Sequence, residues 1–457
     1  MDKKERILKR LSKVERKVKK IAGRNGEFVS LTNYSHLAEE KEGRTIWTNA
    51  INIALRENEF LYIPESDFPY YVDASIIIPS GRCIKAEKNA VICMTENSKV
   101  LMFRNENVID GSHILPQKTK KDKNISIDGG RWETLYRVRA SEGGSGRYDE
   151  VDSYHGISAV MHFNNVKNLC LKNMTFDYAP CFGIQIGEIK NAVIENIEFE
   201  NCFSDGVHIN GNSENLVVRN IRGYVGDDLV ALNMCDWDES SVNFGPLKNV
   251  LCENLELSDE SPCKSLRIIP GIYQFDNGTS IDCTASNIIV REVSGITAYK
   301  MYMQTPAYKI GEAPEDRSAG NGNNLFFENL NIDLYEPVDK RPEQMCSDSV
   351  RGKFGAFEIG SNIKNVYFKN INLKLYKEKF PLSYFASIGP KSSLVGENEI
   401  FDPYISSKVE NLYYSEIFVN DKKIDDLEPY ICCVEFDDIN NDGFSTAKGE
   451  IKNIIKE

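Results

Sequence analysis

Three aspartates are the residues most able to do chemistry. Asp205 sits in Ser204-Asp205-Gly206-Val207-His208-Ile209, and Asp227 and Asp228 open Asp227-Asp228-Leu229-Val230-Ala231-Leu232. Asp205 and Asp228 are 23 residues apart, and each precedes an apolar–x–apolar strand. If those strands are neighbours, about 4.8 Å separates them, and carboxylates that close repel. Three in one place predict that at least one is pushed up and stays protonated. A protonated acid beside ionised partners suits acetal cleavage: one group protonates the leaving oxygen, another activates water or attacks. A pair about 5 Å apart is compatible even with retention of configuration. Each aspartate alone is an ordinary turn residue; two in one column with a third adjacent favour a site.

The interval belongs to a repeat. A nine-residue phrase (Asn, apolar, x, apolar, x, Asn or Glu, apolar, and two more) starts at Asn168, Asn191, Asn215, Asn249, Asn287, Asn324, Asn365 and Asn411, with a partial copy at Asn124. Alternating apolar residues mean strands with one face in a core. Units this short must stack to bury that face, and with no helical segment between them they describe a right-handed parallel β-helix, an all-β solenoid. The period near 23 residues is the coil. Longer intervals after Leu232 are loops thrown outward, and those after Leu232, Pro270 and Pro306 would wall a cleft. The recurring Asn reads as a corner ladder, hydrogen-bonded coil to coil.

The coil sorts the side chains. Met161, Ile184, Val207 and Val230 are expected inward, as are Phe163, Ile186, Ile209 and Leu232. His162, Gln185, His208 and Ala231 then form one outward column. Ala159, Phe182, Asp205 and Asp228 form another. Carrying the pattern onward adds Lys264 and Arg267, then Tyr299 and Tyr302, to the same outer face. The expected catalytic residues are Asp205, Asp227 and Asp228. The expected sugar contacts are His208, Lys264, Arg267, Tyr299, Tyr302, His162 and Gln185, with Trp237 from the loop after the second motif. Tyrosines and tryptophan suit stacking on a sugar's apolar face.

Two segments read as helical. Thr45 to Glu57 places Ile46, Ala50, Ile53 and Ala54 on one face, suited to plugging the open end of the solenoid. Ile7, Leu11, Val14, Val18 and Ile21 form a heptad seam, either an oligomerisation arm or a strap along the barrel. The expected organisation is a helical arm over 1–25, through which residues 1–23 could form a homo-oligomer, and one β-helix domain over 26–457. Within it, 26–110 are cap and first coils, 111–420 the main coils with the cleft, and 421–457 the C-terminal cap.

Bulk properties narrow the partners. The formal net charge is −13, which argues against nucleic acid. No run approaches 18 apolar residues, so no membrane partner is expected. The charged N-terminus lacks the apolar core of a signal peptide, and the 12 cysteines form no CxxC pair. Both fit a cytoplasmic location with reduced thiols, although a trimmed secreted chain would read alike. Asp438-Ile439-Asn440-Asn441-Asp442-Gly443 matches the start of a calcium loop, but the acid expected at the twelfth position comes one late, at Glu450; a plain turn is the reading. No cofactor and no metal site is implied.

Phe203-Ser204-Asp205-Gly206 and Gly226-Asp227-Asp228 resemble the Asn-Thr-Asp-Gly and Gly-Asp-Asp motifs of the family 28 glycoside hydrolases, the polygalacturonase group of the pectate-lyase-like β-helix superfamily. Ile127-Asp128-Gly129-Gly130 is similar to the family's early turn. The resemblance covers roughly residues 120–310. It implies an inverting hydrolase in which Asp227 is the general acid, and Asp205 with Asp228 hold and deprotonate water. The chain departs from the family in carrying Lys264 where a histidine is usual and Tyr302-Met303-Gln304 where Arg-Ile-Lys is usual. Lys264 and Arg267 are then the groups that would meet a uronide carboxylate. Exo-action on galacturonide or galactoside oligosaccharides is the expectation. A lyase on the same scaffold, with Lys264 or Arg267 as base, and a non-catalytic carbohydrate-binding or tailspike-like solenoid are the alternatives.

Overall fold

The computed structural model describes residues 3–24, 26–96, 101–108, 120–135, 159–236, 241–274, 278–302, 308–309, 319–335, 354–389, 393–395, 399–401, 406–434 and 448–457. It is a right-handed parallel β-helix, made of two compact units. The first comprises 1–230, 237–244 and 249–251, and the second 231–236, 245–248 and 252–457.

Each coil is one short strand and one long strand with corners in it. In the first unit the long strands Val166–Asp177, Lys190–Cys202 and Ser213–Val225 stack in parallel. Leu171, Ile194 and Val218 fall in one register row, and Met174, Ile197 and Ile221 in another, all essentially without exposure. The second unit repeats the arrangement with Ala285–Ser294, Asn321–Asp333, Asn362–Lys374 and Ser407–Val419. Period-two alternation puts one face of each strand into the core, and stacked rings fill it. Phe176 lies 5.4 Å from Phe199 in the first unit, and Phe327 lies 5.5 Å from Phe368 in the second.

The nine-residue phrase is a corner, a strand, a second corner and a strand. Its first residue is left-handed at Asn168, Asn191, Asn215, Asn249, Asn287 and Asn324. Its sixth is left-handed at Asn173, Asn196, Asn220, Asn254, Asn329 and Asn370, and also at Glu292 and Glu416. Asparagine tolerates positive φ better than other non-glycine residues, and its amide then bonds the next coil. Asn168 donates to Asn124 at 2.8 Å, Asn191 to Asn168 at 3.0 Å and Asn215 to Asn191 at 3.1 Å. The second corner repeats this, Asn196 donating to Asn173 at 2.8 Å and Asn220 to Asn196 at 2.7 Å. The expected ladder is present, and it is double.

Helix α1, Lys3–Ala22, is a strap. Ile7, Leu11 and Val18 are buried, and Val14, Val18 and Ala22 pack on Cys170 and Val193. Those two residues occupy one outward register row of the long strands, so the helix covers an apolar stripe the sheet would otherwise expose. Ion pairs rim it: Lys19 with Glu195 at 2.7 Å and Arg219 with Glu15 at 3.1 Å. The seam is engaged by the chain's own sheet. Of the two sequence readings, the strap is the one this chain shows.

Helix α2, Thr48–Glu57, starts three residues later than expected. Ile46 ends a strand, Arg44–Ile46, and pairs with Tyr71. The buried face is Ala50, Ile51, Ala54 and Leu55, with Ile53 only half-buried. It packs on the short helix Leu31–Leu37 and on the strands Phe60–Ile63 and Ile76–Ile78.

Candidate active site

The short strands carry the candidate site. In the first unit Ala159–Asn164, Phe182–Gly187 and Val207–Asn210 run parallel. Met161, Ile184 and Val207 share one inward row, and Phe163, Ile186 and Ile209 another, as the 23-residue period predicts. His162, Gln185 and His208 share the outward row between them, also as expected. Ala159 pairs with Phe182. Asp205 and Asp228 continue that row, since their carbonyls accept from Gly183 at 2.9 Å and Gly206 at 3.0 Å.

Both motif glycines are required by close approach. A Cβ on Gly206 would lie 2.7 Å from the Leu229 carbonyl oxygen, and one on Gly226 would collide with the carbonyl of Phe203. The turns that present the aspartates can therefore pack only when those positions lack a side chain.

The three aspartates differ. Asp205 is 4% exposed and Asp228 is 1% exposed, whereas Asp227 is half-buried. Carboxylate oxygens of Asp227 and Asp228 lie within 4.8 Å of one another. Both oxygens of Asp205 are engaged: Oδ1 accepts from the Asp228 backbone N–H at 3.0 Å, and Oδ2 lies 2.7 Å from His208 Nδ1. His208 is buried and lies flat on Phe182, ring centroids 4.0 Å apart at 11°. Its Nε2 faces Asn210 Nδ2 at 3.1 Å, and Asn210 Oδ1 accepts from Gln185 Nε2 at 3.0 Å. His208 and Gln185, expected as sugar contacts, are thus occupied by the chain itself. Asn210 was not singled out in the sequence. The signal was there, because Asn210 lies two residues beyond His208 on the same outward face.

His162 is fully buried between Arg104 and Gln185 in register. Neither ring nitrogen has a hydrogen-bond partner among the described residues. Burial first, and the Arg104 charge second, lower its pKa to about 3. It is a neutral interior histidine, not an exposed sugar contact.

Lys264, Arg267, Tyr299 and Tyr302 belong to the second unit. Lys264 Nζ reaches the Asp259 carbonyl at 2.9 Å and its carboxylate at 3.9 Å. Arg267 pairs with Ala231, as expected. Tyr299 is a correction. It pairs with Leu266 in the inward row, has no exposure, and stacks 5.1 Å from Phe357. Burial pushes its phenol well up. Tyr302 is 8% exposed and follows the end of the strand Ala298–Met301. Within Ala298–Met301 the alternation puts Tyr299 and Met301 inward and Lys300 outward. The outward row instead runs Ala231, Arg267, Lys300, Glu358 and Ser387. Lys300 and Glu358 are buried, a lysine flanked by an arginine and a carboxylate that sequence reasoning missed. Trp237 and the segment Asp438–Gly443 lie outside the described residues.

No family model matches the chain, and no curated protein matches it in sequence. Among solved structures it is similar to the family 28 exopolygalacturonase of Yersinia enterocolitica, at 12% identity and TM-score 0.48, over 94% of this chain and 78% of that one. It is similar to the hyperthermoactive exopolygalacturonase from Thermotoga maritima, at 12% identity and TM-score 0.45, over 98% and 96%. It is also similar to the Streptococcus pneumoniae surface protein and adhesin PfbA, at 11% identity and TM-score 0.40, over 94% and 98%. At such identities and scores, what those proteins do stays with them.

Proposed function

We propose that the chain is a glycoside hydrolase acting on oligo- or polysaccharides through Asp205, Asp227 and Asp228. The observation that supports this most is the unequal state of the three. Asp205 has both oxygens held by the chain itself, Oδ1 accepting from the Asp228 backbone N–H and Oδ2 against His208 Nδ1. Asp227 is the one partly open to solvent. Groups of one type driven to different environments are how a site separates acid from base. Asp227 is then the general acid to the glycosidic oxygen. Asp228, backed by Asp205, holds and deprotonates the attacking water. Inversion, exo-action and a galacturonide or galactoside substrate follow from the motif resemblance and are part of the proposal.

The leaving group tests the assignment. With an alkyl or sugar leaving group, Asp227→Asn is expected to lower kcat by roughly 10²–10⁴-fold. With a nitrophenyl leaving group, which needs no proton, Asp227→Asn should recover most of that loss and Asp205→Asn should not. Equal losses on both substrates would remove Asp227 from the acid role.

A second reading is a carbohydrate-binding solenoid without turnover. The burial of Asp205 and Asp228 favours it. It requires a bound sugar that is recovered intact after long incubation.

A further inference from the structure

Two hydrogen bonds determine where the proton of His208 sits. A backbone N–H can only donate, and that of Val242 meets Asn210 Oδ1 at 3.2 Å. Gln185 Nε2 meets the same oxygen at 3.0 Å. An amide's oxygen and nitrogen are told apart by their partners, and Val242 settles which is which here. The NH2 of Asn210 therefore faces His208 Nε2, at 3.1 Å. An amide NH2 accepts nothing, so Nε2 must carry the lone pair. The single ring proton is then on Nδ1, 2.7 Å from Asp205 Oδ2.

The bonds form a directed chain: Val242 and Gln185 to Asn210, Asn210 to His208, and His208 to Asp205, which also accepts from the Asp228 backbone. A second proton on Nε2 would set an N–H against the NH2. Turning the Asn210 amide to relieve that would set the NH2 against the Val242 N–H. Unmet donors in a buried site are costly, and the Phe182 ring keeps the imidazole from swinging away. Among the described residues of the first unit, Asp205 and, beyond it, Asp228 are charged groups on this side of the imidazole; Gln185 on the preceding coil is neutral, and His162 lies one coil further.

We propose that Asn210 is a positioning residue that holds His208 as its neutral Nδ1–H tautomer, making His208 a fixed donor to Asp205 and not a proton shuttle or a sugar contact. The consequence for catalysis rests on the hydrolase reading; the tautomer does not.

The test is the imidazole 15N–1H correlation spectrum of the full chain labelled at histidine. There are five histidines, and His208 is identified by its loss in His208→Gln or by removing the other four in turn. At neutral pH the wild type is expected to show His208 with a protonated Nδ1 and a bare Nε2. Asn210→Asp presents only acceptor oxygens to Nε2 and should protonate both nitrogens. A wild-type His208 carrying its proton on Nε2, alone or with Nδ1, overturns the proposal, and this holds even where a variant fails to fold. On any glycoside the wild type cleaves, His208→Asn, whose amide can still donate to Asp205, should keep a kcat at least about tenfold above His208→Leu with KM little changed. Equal kcat values for the two would overturn the donor role. Absence of cleavage by the wild type would count against the hydrolase reading and leave the spectrum to decide the tautomer.

Discussion

At the scale of single residues, the outward row His162, Gln185, His208 was placed correctly by the 23-residue period, but its burial was not legible. Period-two alternation says which way a side chain leaves the strand and nothing about what covers it. His162 has a measurable consequence. Its pKa is lowered from 6.5 to about 3 by burial. Below pH 6.5 the unfolded chain binds a proton the folded chain refuses, so acid favours unfolding. The contribution is complete above pH 6.5 and is lost as pH falls towards 3, at up to about 1.4 kcal/mol per unit. Denaturant unfolding at pH 7, 6, 5 and 4 should show a shallower acid limb in His162→Gln than in the wild type. Coincident limbs would mean that His162 titrates normally.

At the scale of elements, the corner asparagines were legible because the phrase repeats them. Their second column was visible too, as the Asn-or-Glu of the sixth position, but its meaning needed the backbone. Asn191 receives from Asn215, donates to Asn168 and has φ of 67°. Asn191→Ala should cost about 3 kcal/mol, near 1 for each bond and 1 or more for the left-handed corner. Asn191→Gly should recover the corner's share, because glycine adopts positive φ freely. If alanine and glycine cost the same in chemical denaturation, the corner carries no strain. Register in the second unit was less legible. Loops of differing length break the count there, so carrying the coil pattern across them puts Tyr299 and Tyr302 on the wrong face. Strand alternation would have assigned Lys300 outward and Tyr299 inward. The start of α2 was missed for a related reason: Ile46 is apolar enough for a helix face and equally suited to the strand it occupies.

At the scale of the whole molecule, the fold class followed from a repeat too short to bury itself, and the parallel registers of both units agree with it. The proposed chemistry lies where that regularity meets Asp205, Asp227 and Asp228. The central claim is that these carboxylates cleave glycosidic bonds, and product analysis tests it most directly. Wild type and Asp227→Asn, matched for folded content by circular dichroism, are incubated with galacturonide, galactoside and neutral oligosaccharides, and released reducing sugar is measured. The account expects at least one oligosaccharide to be shortened by the wild type and left intact by Asp227→Asn. Cleavage at equal rates by both proteins would contradict it.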